Sequence, residues 1–339
     1  MKAVGYYESL PSDAPNALVD LDLPRPTAQG RDILVQIHAV SVNPVDTKIR
    51  RNRPATADKP EVLGWDAAGV VVEIGPEVTL CRPGDRVWYA GDISRPGTNS
   101  EFHLVDERIV GQMPDTLDFA AAAALPLTSL TAYEMLFDRL KVDMPVPGGA
   151  NAIVIIGGAG GVGSIAIQLL RALTDLTVIA TASREETKSW VKELGAQHVI
   201  DHSAPLANQV AQLGIGAPSF VFSTTQSETY IQDVAALIAP QGRYGLIDDP
   251  AHFNIMPFKG KSVSVHWELM YTRSMFQTAD IERQSAILNE VAALVDSGKI
   301  RTTVAETPGM ITAENLRAAH RRLESGQTKG KLTLAGFPD

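Results

Sequence analysis

The sequence predicts an α/β chain in two parts, a β-rich N-terminal region followed by a doubly wound parallel sheet. Three observations carry that expectation. Short strand-like runs punctuated by Pro, Gly and Asp fill residues 1 to about 125. From residue 151 onward, strand candidates alternate with helix candidates. Where the two parts meet, the apolar run Ala152 to Ile156 leads straight into a glycine-rich loop and then an apolar segment of helical period.

Taken in order, Lys2 to Tyr7 and Asp32 to Val42 read as strands, the second because Ile33, Val35, Ile37 and Ala39 alternate. Val70 to Ile74 and Arg86 to Tyr89 follow, with Gly75-Pro76 and Arg82-Pro83-Gly84-Asp85 as turns. Glu101 to Val105 and Ile109 to Gln112 are expected to pair next. Asp118 to Leu136 changes to an alanine-rich helix broken at Pro126, and Pro145 to Gly149 is a loop. Further strands are expected at 153–156, 177–182, 198–200, 220–223, 243–247 and 262–266. Helices are expected between them at 162–174, 184–194, 205–213 and 229–238. Such a sheet binds ligands at the carboxyl ends of its strands. Helices at Asp280 to Ser297 and Asn315 to Ser325 precede a closing strand, Lys331 to Leu334, expected to return to the N-terminal region.

Composition narrows the function classes. A formal net charge of -9 with no dense Lys/Arg cluster argues against nucleic acid as a partner. Cys81 is the single cysteine, which excludes an intrachain disulfide and fits a reducing, cytoplasmic setting. The N-terminus lacks the apolar core of a signal peptide, and runs such as Phe119 to Leu127 are too short to span a membrane.

The glycine loop carries the chemistry. Gly158, Gly160 and Gly163 fall at G-x-G-x-x-G spacing between strand and helix, the pattern of a dinucleotide site. The first glycine is expected to turn the chain and the second to let backbone approach a pyrophosphate. The third lets helix and strand pack closely. Gly158, Ala159, Gly160, Gly161, Val162 and Gly163 are therefore candidate cofactor contacts, with the helix N-terminus offering N–H groups to the anion.

At the end of the second strand, an NAD site needs an acid for the ribose hydroxyls. Here the chain has Ser183-Arg184, a hydroxyl and a guanidinium suited to a 2′-phosphate, with Lys188 one turn on as a second cation. This favours NADPH. A second reading fits the same residues: Ser183 caps the helix, Arg184 is solvated, and Glu185 or Glu186 reaches a ribose. His202, after the third strand, either flanks the adenine or phosphate or is an ordinary surface residue. Ser223, Ile247, His266 and Trp267 end later strands and are expected to line the nicotinamide half.

Several segments resemble the medium-chain dehydrogenase/reductase superfamily, in particular its zinc-independent quinone oxidoreductase branch. They are Ser41-Val42-Asn43-Pro44-Val45-Asp46, Gly64-Trp65-Asp66-Ala67-Ala68-Gly69, Pro83-Gly84-Asp85-Arg86-Val87, Leu125 to Tyr133, the glycine loop and the terminal Gly330-Lys331. Lys259 to Met275 and Ile247-Asp248-Asp249-Pro250 resemble a narrower group labelled zinc-type alcohol dehydrogenase-like. The resemblance implies a GroES-like β-barrel domain of residues 1–126 and 269–339, with a Rossmann NADP-binding domain of residues 127–268 inserted. It also implies a homodimer joined through the edge of the nucleotide-binding sheet.

The resemblance bears on metal as well. Zinc-dependent relatives carry Cys where this chain has Asn43 and Gly-His-Glu where it has Gly64-Trp65-Asp66. A catalytic zinc needs three ligands from Cys, His and carboxylates, which Asn and Trp do not supply, so no metal is expected. His38 and His103 are expected to pack or bond locally. By resemblance, Asn43 faces the nicotinamide or substrate carbonyl, Thr128 supports the cofactor, and Lys331 belongs to the cofactor side. Lys48 departs from a Tyr common at that position and is either an electrophile or proton donor, or a solvated strand-end residue. Asp46 is a further candidate, with local hydrogen bonding as its simpler role. Trp65 and Trp267 offer flat surfaces to a substrate or are core, and Arg273 is a peripheral candidate.

The expectation is a zinc-independent, NADPH-dependent reductase passing hydride to a quinone or α,β-unsaturated carbonyl compound. A conjugated acceptor spreads the arriving charge, so hydrogen-bond donors suffice where a simple ketone gains from a Lewis acid. The alternatives are a zinc-dependent alcohol dehydrogenase and a low-turnover NADPH-binding redox sensor.

Overall fold

The computed structural model describes residues 1–56 and 58–338. The chain forms one unit from Met1–Leu130 with Tyr271–Asp339 and a second from Thr131–Met270. The expected cuts lay at 126/127 and 268/269.

The first unit begins with an antiparallel pair, β1 (Lys2–Tyr6) and β2 (Val19–Asp22), before the long β3 (Asp32–Val42). Then come α1 (Pro44–Asn52), β4 (Glu61–Val62), β5 (Ala67–Ile74), β6 (Arg86–Tyr89), β7 (Phe102–Asp106) and β8 (Gly111–Gln112). β3 serves several neighbours at once. Ile33 to Val40 lies against β5, and Asp32 to Gln36 pairs with β7. β7 and β8, expected to pair with each other, instead pair with β3 and β6. A 3₁₀ turn at Glu107–Ile109, in which the Asp106 side chain accepts from the Arg108 N–H, redirects the chain between them.

The alanine-rich stretch gives α2 (Phe119–Ala123) and α3 (Pro126–Tyr133), broken before Pro126 as expected, and a π-helical turn at Glu134–Arg139. Together, Phe119–Arg139 is 21 residues long and apolar enough to cross a membrane by length and composition, longer than the apolar run alone suggested. Its apolar window is 83% buried inside the protein, which marks a core helix.

The second unit alternates as the sequence predicts: β9 (Ala150–Ile156), α4 (Gly161–Leu173), β10 (Thr177–Thr181), α5 (Glu185–Glu193), β11 (His198–Ile200), α6 (Leu206–Gln212), β12 (Pro218–Ser223), α7 (Ser227–Leu237), β13 (Arg243–Leu246) and β14 (Ser264–Trp267). All pairs are parallel, in the order β11-β10-β9-β12-β13-β14. Strand order reverses between β9 and β12, the switch point where sheets of this winding bind ligands. Val154, Ile179, Val221 and Tyr244 pack one face with Phe258, and the alternate residues Ile153, Ile155, Val178, Ala180, Phe220 and Phe222 are buried too, so the central strands are apolar on both sides.

The chain then re-enters the first unit with α8 (Thr272–Phe276), α9 (Arg283–Asp296), β15 (Val304–Glu306), α10 (Ala313–Glu324) and β16 (Lys331–Ala335). β16 pairs antiparallel with the end of β3, Leu332 opposite Val42. The closing strand thus returns to the N-terminal region and brings Lys331 to Asn43.

Candidate functional site

The first unit gathers four polar side chains in its interior. Asn43 ends β3 in extended backbone and caps α1, where Pro44 fits the first turn because it lacks an N–H. Asp46, at the third helical position, accepts from the Asn43 N–H at 2.6 Å and from the Gly64 N–H at 3.2 Å. Asp66, just before β5, accepts the Leu127 N–H on one oxygen at 3.1 Å. Its other oxygen takes the Asn43 amide and the Lys331 ammonium, each at 3.1 Å. Lys331 Nζ also donates to the Val42 carbonyl at 3.2 Å and to Asn43 Oδ1. Its three hydrogens therefore have three oxygen acceptors.

Burial sets the electrostatics. Asn43, Asp46, Asp66 and Lys331 are all 4% exposed or less. Loss of water pushes the Asp46 carboxyl up to about 7, its hydrogen bonds from Asn43 and Gly64 and the Lys331 charge offsetting part of the rise. It likewise raises Asp66 and lowers Lys331, with their mutual attraction working against both shifts.

These contacts revise the expected roles. Asn43 was expected to face a nicotinamide or substrate carbonyl. Both its amide hydrogens are engaged inside the unit, by Asp66 and by the Ser41 carbonyl at 3.3 Å. Lys331, expected on the cofactor side, is bound to this cluster instead. Trp65, read either as a flat substrate surface or as core, is fully buried, its indole N–H donated to the Asp92 carbonyl at 3.1 Å. Asp46 ties the β3–α1 junction to the Gly64 loop. Lys48 is half-buried within α1, a helix, where a strand end was expected. Thr128 is buried, and its hydroxyl donates to the Leu125 carbonyl at 3.1 Å. Arg273 is buried and bonds Asp280 at 3.0 Å. His38 stacks on Phe119, and His103 bonds the Tyr89 hydroxyl and the Pro96 carbonyl, the local roles expected of both.

Two residues of this cluster escaped the sequence reading. Asp66 lay inside a quoted motif without a role. Tyr271 gave no signal as a lone aromatic, yet its buried hydroxyl meets no hydrogen-bond partner among the described residues, with Asp46, Asp66 and Asp92 close enough to act on its charge.

The second unit holds the glycine loop at the switch point. The sharp turn falls at Gly157, with φ +81°, one residue before the glycine expected to make it. At Gly158 a Cβ would lie 2.9 Å from Ala180 Cβ, so that glycine packs the loop on β10. At Gly163 it would lie 2.3 Å from the Gly157 carbonyl oxygen, the close approach expected of the third glycine. At Gly160 it would meet nothing nearer than 3.5 Å, so the protein itself leaves that position open. Gly160 caps α4, and Gly161, Val162 and Gly163 form its first turn with Ala159 just before, where a helix presents unpaired N–H groups.

At the end of β10, Ser183 is half-buried and is not the cap of α5. Arg184 takes that position, exposed and without a side-chain capping bond. Lys188, expected as a second phosphate cation, lies 3.3 Å from Glu185 and 3.5 Å from Asp201, which already share its charge. His202 is half-buried, its carbonyl accepting the Tyr230 hydroxyl at 3.4 Å. Ser223, at the end of β12, lies 2.8 Å from the Ser227 hydroxyl, and Asp248 grips Ser227 through its N–H at 2.8 Å and its hydroxyl. Ile247 is half-buried after β13. On β14, His266 contacts Ser264 at 3.0 Å and is held below its ordinary pKa by burial, while Trp267 is exposed.

Among the described residues no three His, Cys, Asp or Glu side chains are grouped to hold a metal ion. Cys81 is half-buried, and burial pushes its thiol up to about 11, the condition of an inert cysteine.

Comparison with known proteins adds the following. Residues 29–115 match the alcohol dehydrogenase GroES-like domain, and residues 194–334 match the zinc-binding dehydrogenase family. A Staphylococcus aureus zinc-type alcohol dehydrogenase-like protein is 37% identical over 98% of this chain and 99% of its own length. The human mitochondrial NAD(P)H oxidoreductase RTN4IP1 is 30% identical over 89% of this chain and 81% of its own. Among solved structures, a Rhizobium etli protein described as a candidate zinc-dependent alcohol dehydrogenase is 60% identical, with a TM-score of 0.99 over 100% of this chain and 99% of that one. A quinone oxidoreductase from Pseudomonas syringae is 27% identical, with a TM-score of 0.82 over 98% and 99%.

Proposed function

Because this chain belongs to the medium-chain dehydrogenase/reductase superfamily, in its zinc-independent branch, we propose that it is an NADPH-dependent reductase of quinones or α,β-unsaturated carbonyl compounds. An oxidoreductase of this superfamily uses a nicotinamide cofactor, and the glycine loop fits one. Gly160 leaves space for a pyrophosphate, and the first turn of α4 supplies N–H groups to it.

The observation that carries the substrate class is the filled donor set around Asn43 and Asp66. The zinc in several relatives' names finds no matching ligands here. Asn43 Oδ1, Asp66 Oδ2 and the Val42 carbonyl all point their lone pairs at the Lys331 ammonium, and Trp65 bonds Asp92. With no such ligand triad among the described residues, the chain is suited to acceptors whose own conjugation spreads the arriving charge.

When bound, the cofactor supplies the hydride. Ser183 and Arg184, which follow β10 ahead of Glu185 and Glu186, favour a 2′-phosphate and hence NADPH. The Ser227–Asp248 contact ties together the carboxyl ends of β12 and β13, the side of the sheet on which a nicotinamide would be held. The Asn43–Asp66–Lys331 cluster fixes the β3–α1 junction. A cytoplasmic homodimer completes the reading, joined through β14, the edge strand with exposed Trp267.

The test is NADPH oxidation by chelator-treated protein with a panel of quinones and enones, NADH run in parallel. Turnover that survives chelation and prefers NADPH supports the reading. Activity lost on chelation and restored by zinc would sink it, and NADPH binding without turnover of any acceptor would leave the redox-sensor alternative standing.

A further inference from the structure

We propose that Thr181, the last residue of β10, is a positioning residue for the cofactor pyrophosphate. Its hydroxyl holds the glycine loop in the shape that presents the first turn of α4 to the anion. The proposal rests on the nicotinamide-cofactor reading above and adds a residue which that reading does not use.

The turn at Gly157 lies between two peptide groups, and each is held at both ends. In the Ile156–Gly157 peptide, the N–H donates to the Thr181 hydroxyl at 3.0 Å. The carbonyl of that peptide accepts the Thr224 N–H at 3.0 Å and the Thr224 hydroxyl at 2.9 Å. In the Gly157–Gly158 peptide, the N–H donates to the Thr181 carbonyl at 3.2 Å, and the carbonyl accepts the Gly160 N–H at 3.1 Å. The Thr224 hydroxyl shares its acceptor with its own backbone N–H. The Thr181 hydroxyl has no such duplicate, so the Gly157 N–H depends on a side chain.

That side chain is an unusual choice for its place. Thr181 is 1% exposed and follows Val178-Ile179-Ala180 in a buried strand. Valine has the same branching and would suit the position without burying a polar atom. The hydroxyl answers a local need. Pairing of β9 with β10 runs to Ile155 and Ala180, and beyond it the chain leaves the sheet through Gly157 at φ +81°. Where the ladder ends, the Thr181 side chain takes the next N–H.

The consequence reaches α4. The Gly157 carbonyl oxygen lies against Gly163, 2.3 Å from where a Cβ would stand, and Gly160 caps the helix. The N–H groups of Gly157, Gly158 and Gly160 are spent within the loop, which leaves those of the first turn of α4 to an anion. Valine at position 181 would leave the Gly157 N–H without its acceptor. The peptide would turn to find another, carrying with it the Gly157 carbonyl and the helix start that packs on it.

The experiment measures Tm and the dissociation constants of NADPH and NADH for wild type, Thr181→Val, Thr181→Ser and Val210→Ala. Titrations are run well below the lowest Tm. Val210 is buried in the core of the second unit on α6, outside the loop, and its variant is a destabilised control. For whichever cofactor wild type binds more tightly, Thr181→Val should bind about tenfold more weakly. Thr181→Ser keeps the acceptor and should stay within about threefold of wild type. Val210→Ala should bind like wild type despite a lower Tm. Thr181→Val binding as tightly as wild type overturns the inference alone. So does an equal loss of affinity in Thr181→Ser or in Val210→Ala, because the loss then follows volume or stability and not the hydroxyl. A wild type that binds neither NADPH nor NADH overturns the cofactor reading and this inference with it. If Thr181→Val does not fold, Thr181→Cys takes its place, since a thiol accepts hydrogen bonds only weakly. Cofactor binding by Thr181→Cys as tight as that by Thr181→Ser then overturns the inference.

Discussion

At the scale of single residues, Lys331 has the largest energetic stake. It is the cation that compensates Asp66, and removing one partner of a buried pair leaves the other charge stranded. Lys331→Met should therefore destabilise the protein by about 3–5 kcal/mol, and adding Asp66→Asn should recover part of that loss. Urea unfolding at neutral pH measures both, and a single variant within about 0.5 kcal/mol of wild type would contradict the account. Asp46 gives a pH prediction. Its carboxyl sits at about 7 when folded, raised from 3.8 by burial. The folded state thus holds this proton more tightly than the unfolded state. The stabilising contribution is complete below the unfolded pKa and is lost as pH rises through about 7. Between pH 5 and pH 8 the urea midpoint should fall more steeply for wild type than for Asp46→Asn. Parallel profiles would show that Asp46 titrates as an ordinary carboxyl.

At the scale of elements, the β9–α4 loop separates two reasons for glycine. Gly163 is required by the protein, because a side chain there would collide with the Gly157 carbonyl at 2.3 Å. Gly160 is not, since its added Cβ would find ordinary contact at 3.5 Å. Gly163→Ala should accordingly lower Tm clearly, while Gly160→Ala should melt close to wild type and bind NADPH at least tenfold more weakly. Melting curves and cofactor titration of the two variants decide it, and equal behaviour in both assays would refute the division. The same loop shows how far local sequence reading reaches. Strand, loop and helix followed from β-branching and glycine spacing, but the turn fell at Gly157 because backbone dihedrals, unlike spacing, depend on how β9 meets Thr224 and β10.

At the scale of the whole molecule, β14 leaves one edge of the parallel sheet unpaired, with Trp267 and Leu269 more than half exposed. Open edges with apolar side chains are normally covered. We expect sedimentation to give a dimer, and Trp267→Glu to shift it toward monomer with the melting of the second unit retained. A wild type that sediments as a monomer at micromolar concentration would end the dimer reading.

The sequence by itself determined the alternation of the second unit, the long β3, the break at Pro126 and the returning strand at Lys331. Each depends on periodicity or on proline and glycine chemistry within a few residues. It also led to the expectation of no zinc at Asn43 and Trp65, because their side chains supply neither a thiolate nor an imidazole. Only the tertiary structure decided what these residues do instead. Asn43, Asp66 and Lys331 are separated by 23 and 265 residues and meet because β16 pairs with the end of β3. Trp65 is core, and the Tyr271 hydroxyl is buried with no partner among the described residues. Burial and hydrogen-bond satisfaction belong to the packed arrangement of distant segments, which local pattern does not encode.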